Sequence, residues 1–362
     1  MKPLFKTILI LTLLPLFAVA ANNNTWKGKH TKEKKIEKQF NVNKDALLKV
    51  DNKYGNIDIT TWNQNRIEIE VTITTNGDDE SEVKKRLDEI TVEFSGSKSM
   101  VSAETVIQSQ RSGWSFWGGK SKNVNMKINY LIKIPVSNSV TLDNSYGAIS
   151  LDVLEGNANI SCDYGKFIIG ELRGHNNTLD FDYTNNSTIG YVKNVQINAD
   201  YSGFMIERAQ QIAFNGDYSK AEIKEVGKLA YDCDYGKLTV GSVNDITGDG
   251  SYLSTTIESV ANSLDIQAGY GKIAVNRLEK NIKSVKIKSK YTGIKMGVVN
   301  GAAFDLNANL TYTNLKGKDL FYFSVERDKA TSKEYQGYYG KKNSGNTINI
   351  TSDYGGVTFS KN

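Results

Sequence analysis

The chain is poor in the residues that most often carry chemistry. Two of its 362 residues are histidines, His30 and His175. That excludes a His-rich metal site and leaves little for His-based acid–base catalysis. Only three prolines occur, which rules out collagen-like and Pro-rich linker architectures. Two cysteines are too few for a small disulfide framework. No strong charge of one sign is present: 45 basic groups face 40 acidic ones, too weak an excess to imply a nucleic-acid partner. Beyond the first twenty residues no apolar run approaches the ~18 residues of a membrane-spanning helix.

The N-terminus supplies an address. Lys2 and Lys6 precede an apolar run over 8–17, and Ala18-Val19-Ala20 has the small-x-small form of a cleavage site. Residues 1–20 therefore read as a secretory signal peptide. No cysteine follows the cleavage point, so a lipid anchor is not expected.

What the chain does have is a repeat. Asn144-Ser145-Tyr146-Gly147, Cys162-Asp163-Tyr164-Gly165, Ala199-Asp200-Tyr201-Ser202 and Cys233-Asp234-Tyr235-Gly236 are variants of one motif. The motif tyrosines are 146, 164, 183, 201, 218, 235, 252, 270, 291, 312 and 354, with an isolated earlier copy at Tyr54. Steps of 17–21 residues separate neighbours, and the 42-residue gap before Tyr354 is two periods. In most copies apolar residues recur four before the tyrosine and three, five and eight after it, as in Ile160, Phe167, Ile169 and Leu172. Period-2 spacing in short segments means strands with one inward face. A unit of two short strands cannot bury that face alone, so units must stack.

The chain is accordingly expected to be all-β. Residues 138–362 should form a parallel β-solenoid of roughly eleven coils with a hairpin insertion near the C-terminus. At ~4.8 Å per coil the rod would be near 50 Å long. Residues 21–137 should form a β-rich cap that includes a first repeat-like unit at 46–62. Within the cap, 66–75, 91–94, 100–107 and 124–136 read as strands with hairpin connections. Residues 78–90 read as a short helix, acidic at its start with Val83, Leu87 and Ile90 on one face.

A resemblance follows from particular stretches. The run from Leu48 through Tyr54-Gly55 to Trp62 resembles the opening of the putative adhesin family. Ile134-Pro135-Val136 before Tyr146-Gly147, and Ile348-Asn349-Ile350 before Gly355-Gly356-Val357, resemble that family's entry into the repeats and its closing coil. These are exported β-strand-repeat proteins of unknown function, common in Gram-negative Bacteroidota. The resemblance implies a non-catalytic, adhesin-like binding or structural module of the cell envelope, in the periplasm or at the cell surface.

Several features invite chemistry and have a plainer reading beside it. The tyrosine column could stack on sugar rings, but parity places it on the inward face, as an aromatic ladder filling a corner. Asp163, Asp182, Asp200, Asp217 and Asp234 could share calcium; the plainer reading is that each closes its own turn by accepting a backbone N–H. Acids on a β-helix also fit a polysaccharide-active enzyme, the alternative function. Such an enzyme needs a pair displaced from the repeat, and none is evident. Gly113-Trp114-Ser115-Phe116-Trp117 lacks the second glycine of a nucleophile elbow, and Gly248-Asp249-Gly250 reads as a turn. Lys286, Lys288 and Lys290 form a basic stripe that serves as a solvated face. Catalysis, metal and cofactor are not expected. Cys162 and Cys233, four coils apart, should lie ~19 Å from each other and stay free thiols.

The candidate binding residues are Trp114, Phe116 and Trp117. They sit among glycines and serines in a loop joining two cap strands, and clustered aromatics at an exposed tip usually have a use. The expected partner is an envelope or cell-surface glycan or protein.

Overall fold

The structure, a computed structural model, describes residues 26–108 and 123–362. The signal-peptide segment 1–20 and the loop residues Trp114, Phe116 and Trp117 lie outside them. The described residues form an all-β molecule whose strands belong to one 26-stranded sheet, with one α-helix and a short 3-10 turn.

Parallel pairing runs through the repeat region. Ser187–Asp200 pairs with Gly203–Asn215, that strand with Lys220–Asp232, and so on through Lys237–Ser251 and Ser254–Gly269. Each residue lies beside its counterpart one period later, as Ile206 beside Ile223 and Ile223 beside Val240. The alternating residues pack inward as the period-2 pattern requires: Ile160, Phe167, Ile169 and Leu172 are all buried. Two adjacent outward pairs, Glu207 with Arg208 and Gln210 with Gln211, bend the coil around the single inward Ala209. Phe167, Phe181, Phe204 and Phe214 form an edge-to-face chain inside it, with centroids 4.8–5.5 Å apart. The extra residue of the Tyr183 coil is absorbed at Asn186, whose φ is 59°. Asparagine tolerates this left-handed conformation better than most residues.

The sheet as a whole is mixed, because both ends of the coil stack are antiparallel. At one end the Tyr54 unit is a full member of the stack. Leu47–Lys53 pairs with Ser139–Ser145, and Ile57–Trp62 with the strand Ala148–Leu154. Below it lie Met100–Ile107 and Asn125–Pro135, each parallel to the Tyr54 unit on one side. Antiparallel strands Ile90–Gly96, Arg66–Gly77 and His30–Asn41 complete that end. The helix Glu80–Asp88 is capped by Asp79, which accepts from Ser81 N–H and Glu82 N–H, and it buries Val83. His30–Asn41 was not legible beforehand; it is charged along its length with only Ile36 and Phe40 apolar, as suits an exposed sheet edge.

The C-terminal end corrects the expected order. Thr347–Asp353, the strand of the last motif, pairs with Ser284–Lys290 on one side and with Phe304–Thr311 on the other. The coil that comes last in sequence is thus inserted between the coils of Tyr291 and Tyr312. The outermost rung is the Tyr312 coil, and the hairpin Tyr322–Asp328/Ser332–Tyr339 covers it through antiparallel pairing with Phe304–Thr311. The expected hairpin insertion is present and acts as the second cover.

Two smaller readings also change. Gly248-Asp249-Gly250 is no turn; it lies inside the strand Lys237–Ser251. Gly248 faces inward because the buried Tyr231 ring fills the space, and a Cβ there would sit 2.0 Å from that ring. The strands Met100–Ile107 and Asn125–Pro135 do not pair with each other, so they are not the two arms of one hairpin.

Candidate functional site: an exposed tyrosine ladder

Twelve motif tyrosines, from Tyr54 to Tyr354, all have φ between 51° and 63°. This left-handed backbone is rare for any residue but glycine, asparagine and aspartate, and costs roughly 1–2 kcal/mol. It also inverts the strand's parity. Cys162, two before Tyr164, is buried, and so is Phe167, three after it, while Tyr164 itself points out. The ladder tyrosines are 40–57% exposed. The expectation of an inward-facing aromatic corner is therefore overturned. Parity counting assumes extended backbone throughout, and one left-handed residue per coil breaks it.

The ladder is real and lies on the outside. Consecutive rings stack with centroids 4.7–5.3 Å apart and interplanar angles of 1–14°. Its order in space is Tyr54, then Tyr146 through Tyr291, then Tyr354, and finally Tyr312. A stacked pair contributes about 0.5–1.5 kcal/mol, the same size as the backbone cost of one corner. Stacking thus offsets the left-handed turn rung by rung, which explains tyrosine where glycine would be easier. Each interior ring shares both faces with its neighbours, so sugar rings cannot stack on those faces; edges and hydroxyls are what the ladder presents.

The flanking positions hold the corners in register. Asp163, Asp182, Asp200, Asp217 and Asp234 each accept, through Oδ1, a backbone N–H of the next coil at 2.6–3.2 Å. The expected aspartate-to-backbone bond exists, but it staples one coil to the following one instead of closing its own turn. The sequence could not distinguish these, because the two N–H groups are far apart in the chain and adjacent only after stacking. Among the described residues no group of three or more His, Cys, Asp or Glu is placed to hold a metal ion. After the tyrosine, Ser202 and Ser219 accept a backbone N–H from the preceding coil and donate to carbonyls, Ser202 Oγ to Phe181 O at 3.3 Å. Where glycine follows instead, the coils approach more closely: a Cβ on Gly147 would sit 1.8 Å from Gly55 O. Exposed Lys166, Lys220, Lys237 and Lys272 border the ladder on that side. For Tyr164, partial burial, then Tyr183, Tyr146 and nearby aspartates raise the phenol pKa.

The other sites are weaker. A shallow groove of about 770 Å³ runs over the bend of six coils and includes Glu171, Glu207, Glu225, Tyr191 and Arg208. Its acids stand on ordinary repeat positions, and Arg208 lies over the Tyr191 ring at 5.5 Å. Lys286, Lys288 and Lys290 point outward together, and Lys286 pairs with Asp265 at 3.0 Å. Cys162 and Cys233 are buried free thiols, and burial pushes both up to about 12. No helix among the described residues is long and apolar enough to cross a membrane.

No family model matches the chain, and no curated protein matches it. Solved structures do. A putative adhesin from Parabacteroides distasonis is 13% identical, with 73% of this chain and 97% of that one aligned at a TM-score of 0.35. A putative adhesin from Bacteroides fragilis is 15% identical, with the same coverage and a TM-score of 0.30. A putative lipid binding protein from Parabacteroides distasonis is 11% identical over 74% of this chain and 98% of that one, at 0.33. The adhesin name is the one to which the Tyr54-Gly55 opening and the closing motif pointed.

Proposed function

We propose that the protein is an exported, non-catalytic binding module of the cell envelope, adhesin-like, built as a β-solenoid with its cap. The address rests on the signal-like segment 1–20. The observation that carries the binding reading is the unbroken row of exposed aromatic residues on a scaffold whose ladder-side aspartates and serines serve to join coils. Monomers seldom expose ordered aromatic surface on that scale without a partner. The loop with Trp114, Phe116 and Trp117 is a second proposed contact, outside the described residues.

The groove over Glu171, Glu207 and Glu225 is what an envelope polysaccharide-active enzyme would use. Catalysis there would need an acid–base pair set apart from the repeat, and these acids keep to it.

The mature chain mixed with an envelope fraction of the producing cells should co-sediment saturably and release no reducing sugar. Absence of co-sedimentation would refute the module. Sugar release lost in Glu207→Gln would favour the enzyme.

A further inference from the structure

We infer that the tyrosine ladder binds an extended, linear, uncharged polysaccharide, one sugar ring per rung. This rests on the reading of the protein as a binding module and names its ligand class. The repeat is the first ground. Eleven successive contacts keep a spacing of 4.7–5.3 Å. A partner lying along the row must advance by the same distance or fall out of step. An extended peptide strand advances ~3.3 Å per residue, so three residues span about two rungs and only every third residue, on every second rung, comes back into register. A helix advances ~5.4 Å per turn and drifts by roughly a whole rung over the ladder's length. A β-linked pyranose chain in its extended form advances by nearly one rung per sugar.

The chemistry of the row is the second ground. Because ring faces are occupied by neighbouring rings, the ladder offers a comb of phenolic hydroxyls, each able to donate and accept. Among the described residues none of the twelve hydroxyls is engaged by another protein group. A sugar chain carries hydroxyls at its edges at the same interval, so each rung can exchange water for one sugar hydroxyl. The third ground is charge. Aspartates at 163, 182, 200, 217 and 234 precede the tyrosines, and lysines at 166, 220, 237 and 272 follow them. This mixed border gives no field of one sign, which disfavours nucleic acid and other polyanions.

Binding of cello- and chito-oligosaccharides of increasing length to the mature chain tests this, measured by calorimetry. Affinity should rise steadily with length for at least one series. The triple variant Tyr201→Phe, Tyr218→Phe, Tyr235→Phe keeps the stack and removes three hydroxyls. It should bind the longest oligosaccharide about tenfold or more weakly, the loss of a few hydrogen bonds of ~0.5–1 kcal/mol each, with an unchanged melting temperature. Length-independent affinity, or a triple variant that binds as tightly as the wild type, overturns the inference. Envelope binding without binding to either glycan series also overturns it, and leaves the module reading intact. Envelope binding lost in Trp114→Ala/Trp117→Ala but kept in the triple variant assigns the contact to the loop instead. A chain that binds neither envelope nor glycan refutes both readings.

Discussion

The middle of the coil stack and its two ends are built on the same rung but held together differently. From Tyr183 to Tyr252 the chain moves from each coil directly to the next, in continuous strands of 13–16 residues. Aspartate staples and Ser or Thr corners recur there. At the ends the chain leaves the stack and comes back. Asn52 bonds Asn144 across 92 positions, and Ser289 bonds Ser352 across 63, yet in each pair the two residues occupy adjacent rungs. Membership of the ladder is therefore a matter of pairing in space, not of succession in sequence. Long excursions are tolerated because loop-closure entropy grows only with the logarithm of length, about 0.6 kcal/mol per doubling. They also supply the antiparallel strands that cover what would otherwise be bare edges.

The comparison can be broken most severely at the inserted coil. Removing residues 347–362 takes the partner of both Ser284–Lys290 and Phe304–Thr311. Hydrogen exchange should then show loss of protection throughout the Tyr312 coil and its hairpin, while the coils of Tyr201 to Tyr252 stay protected. Unchanged protection of Phe304–Thr311 would contradict the inserted order.

Next in size is the corner. Gly147→Ala puts a Cβ against the Gly55 carbonyl and must push two coils apart, at a cost of about 3 kcal/mol or more. Ser219→Ala in the middle has room for its Cβ and loses only hydroxyl bonds, about 1 kcal/mol. Urea denaturation of the two variants measures the difference, and equal losses would show that the corners are alike.

The ladder itself predicts a smaller contrast. Tyr218→Ala removes two stacking contacts and Tyr54→Ala one. The expected losses are about 2 and about 1 kcal/mol. Tyr218→Gly should be less damaging than Tyr218→Ala, because glycine adopts the left-handed corner without strain. The reverse order in thermal melts would mean that stacking does not offset backbone strain.

The smallest effect is electrostatic. Burial, then Asp182 and Asp163, raise the Asp180 pKa above the ordinary carboxylate value. In the window just above that value the folded chain binds more protons than the unfolded one, so this group's contribution to stability falls as pH rises through it. Asp180→Asn should raise the melting temperature slightly at pH 7 and leave it unchanged near pH 3, where the carboxyl is protonated in both states. A gain that persists at low pH would point to packing instead of charge.

The sequence by itself determined the repeat, the strand class, the inward columns and the corner positions. Ile160, Phe167, Ile169 and Leu172 are buried as their spacing requires, because strand periodicity is a local property of the backbone. The helix with Val83 and the strand Met100–Ile107 were legible for the same reason. Tertiary structure alone decided what depends on neighbours from other coils. The outward turn of the tyrosines follows from a left-handed corner that is tolerable only when rings above and below stack on it. The aspartates reach an N–H in the next coil, the Tyr54 unit joins the ladder, and the last coil slides between two earlier ones. Each of these is a contact between residues remote in the chain, and no local preference encodes which distant edge a strand will meet.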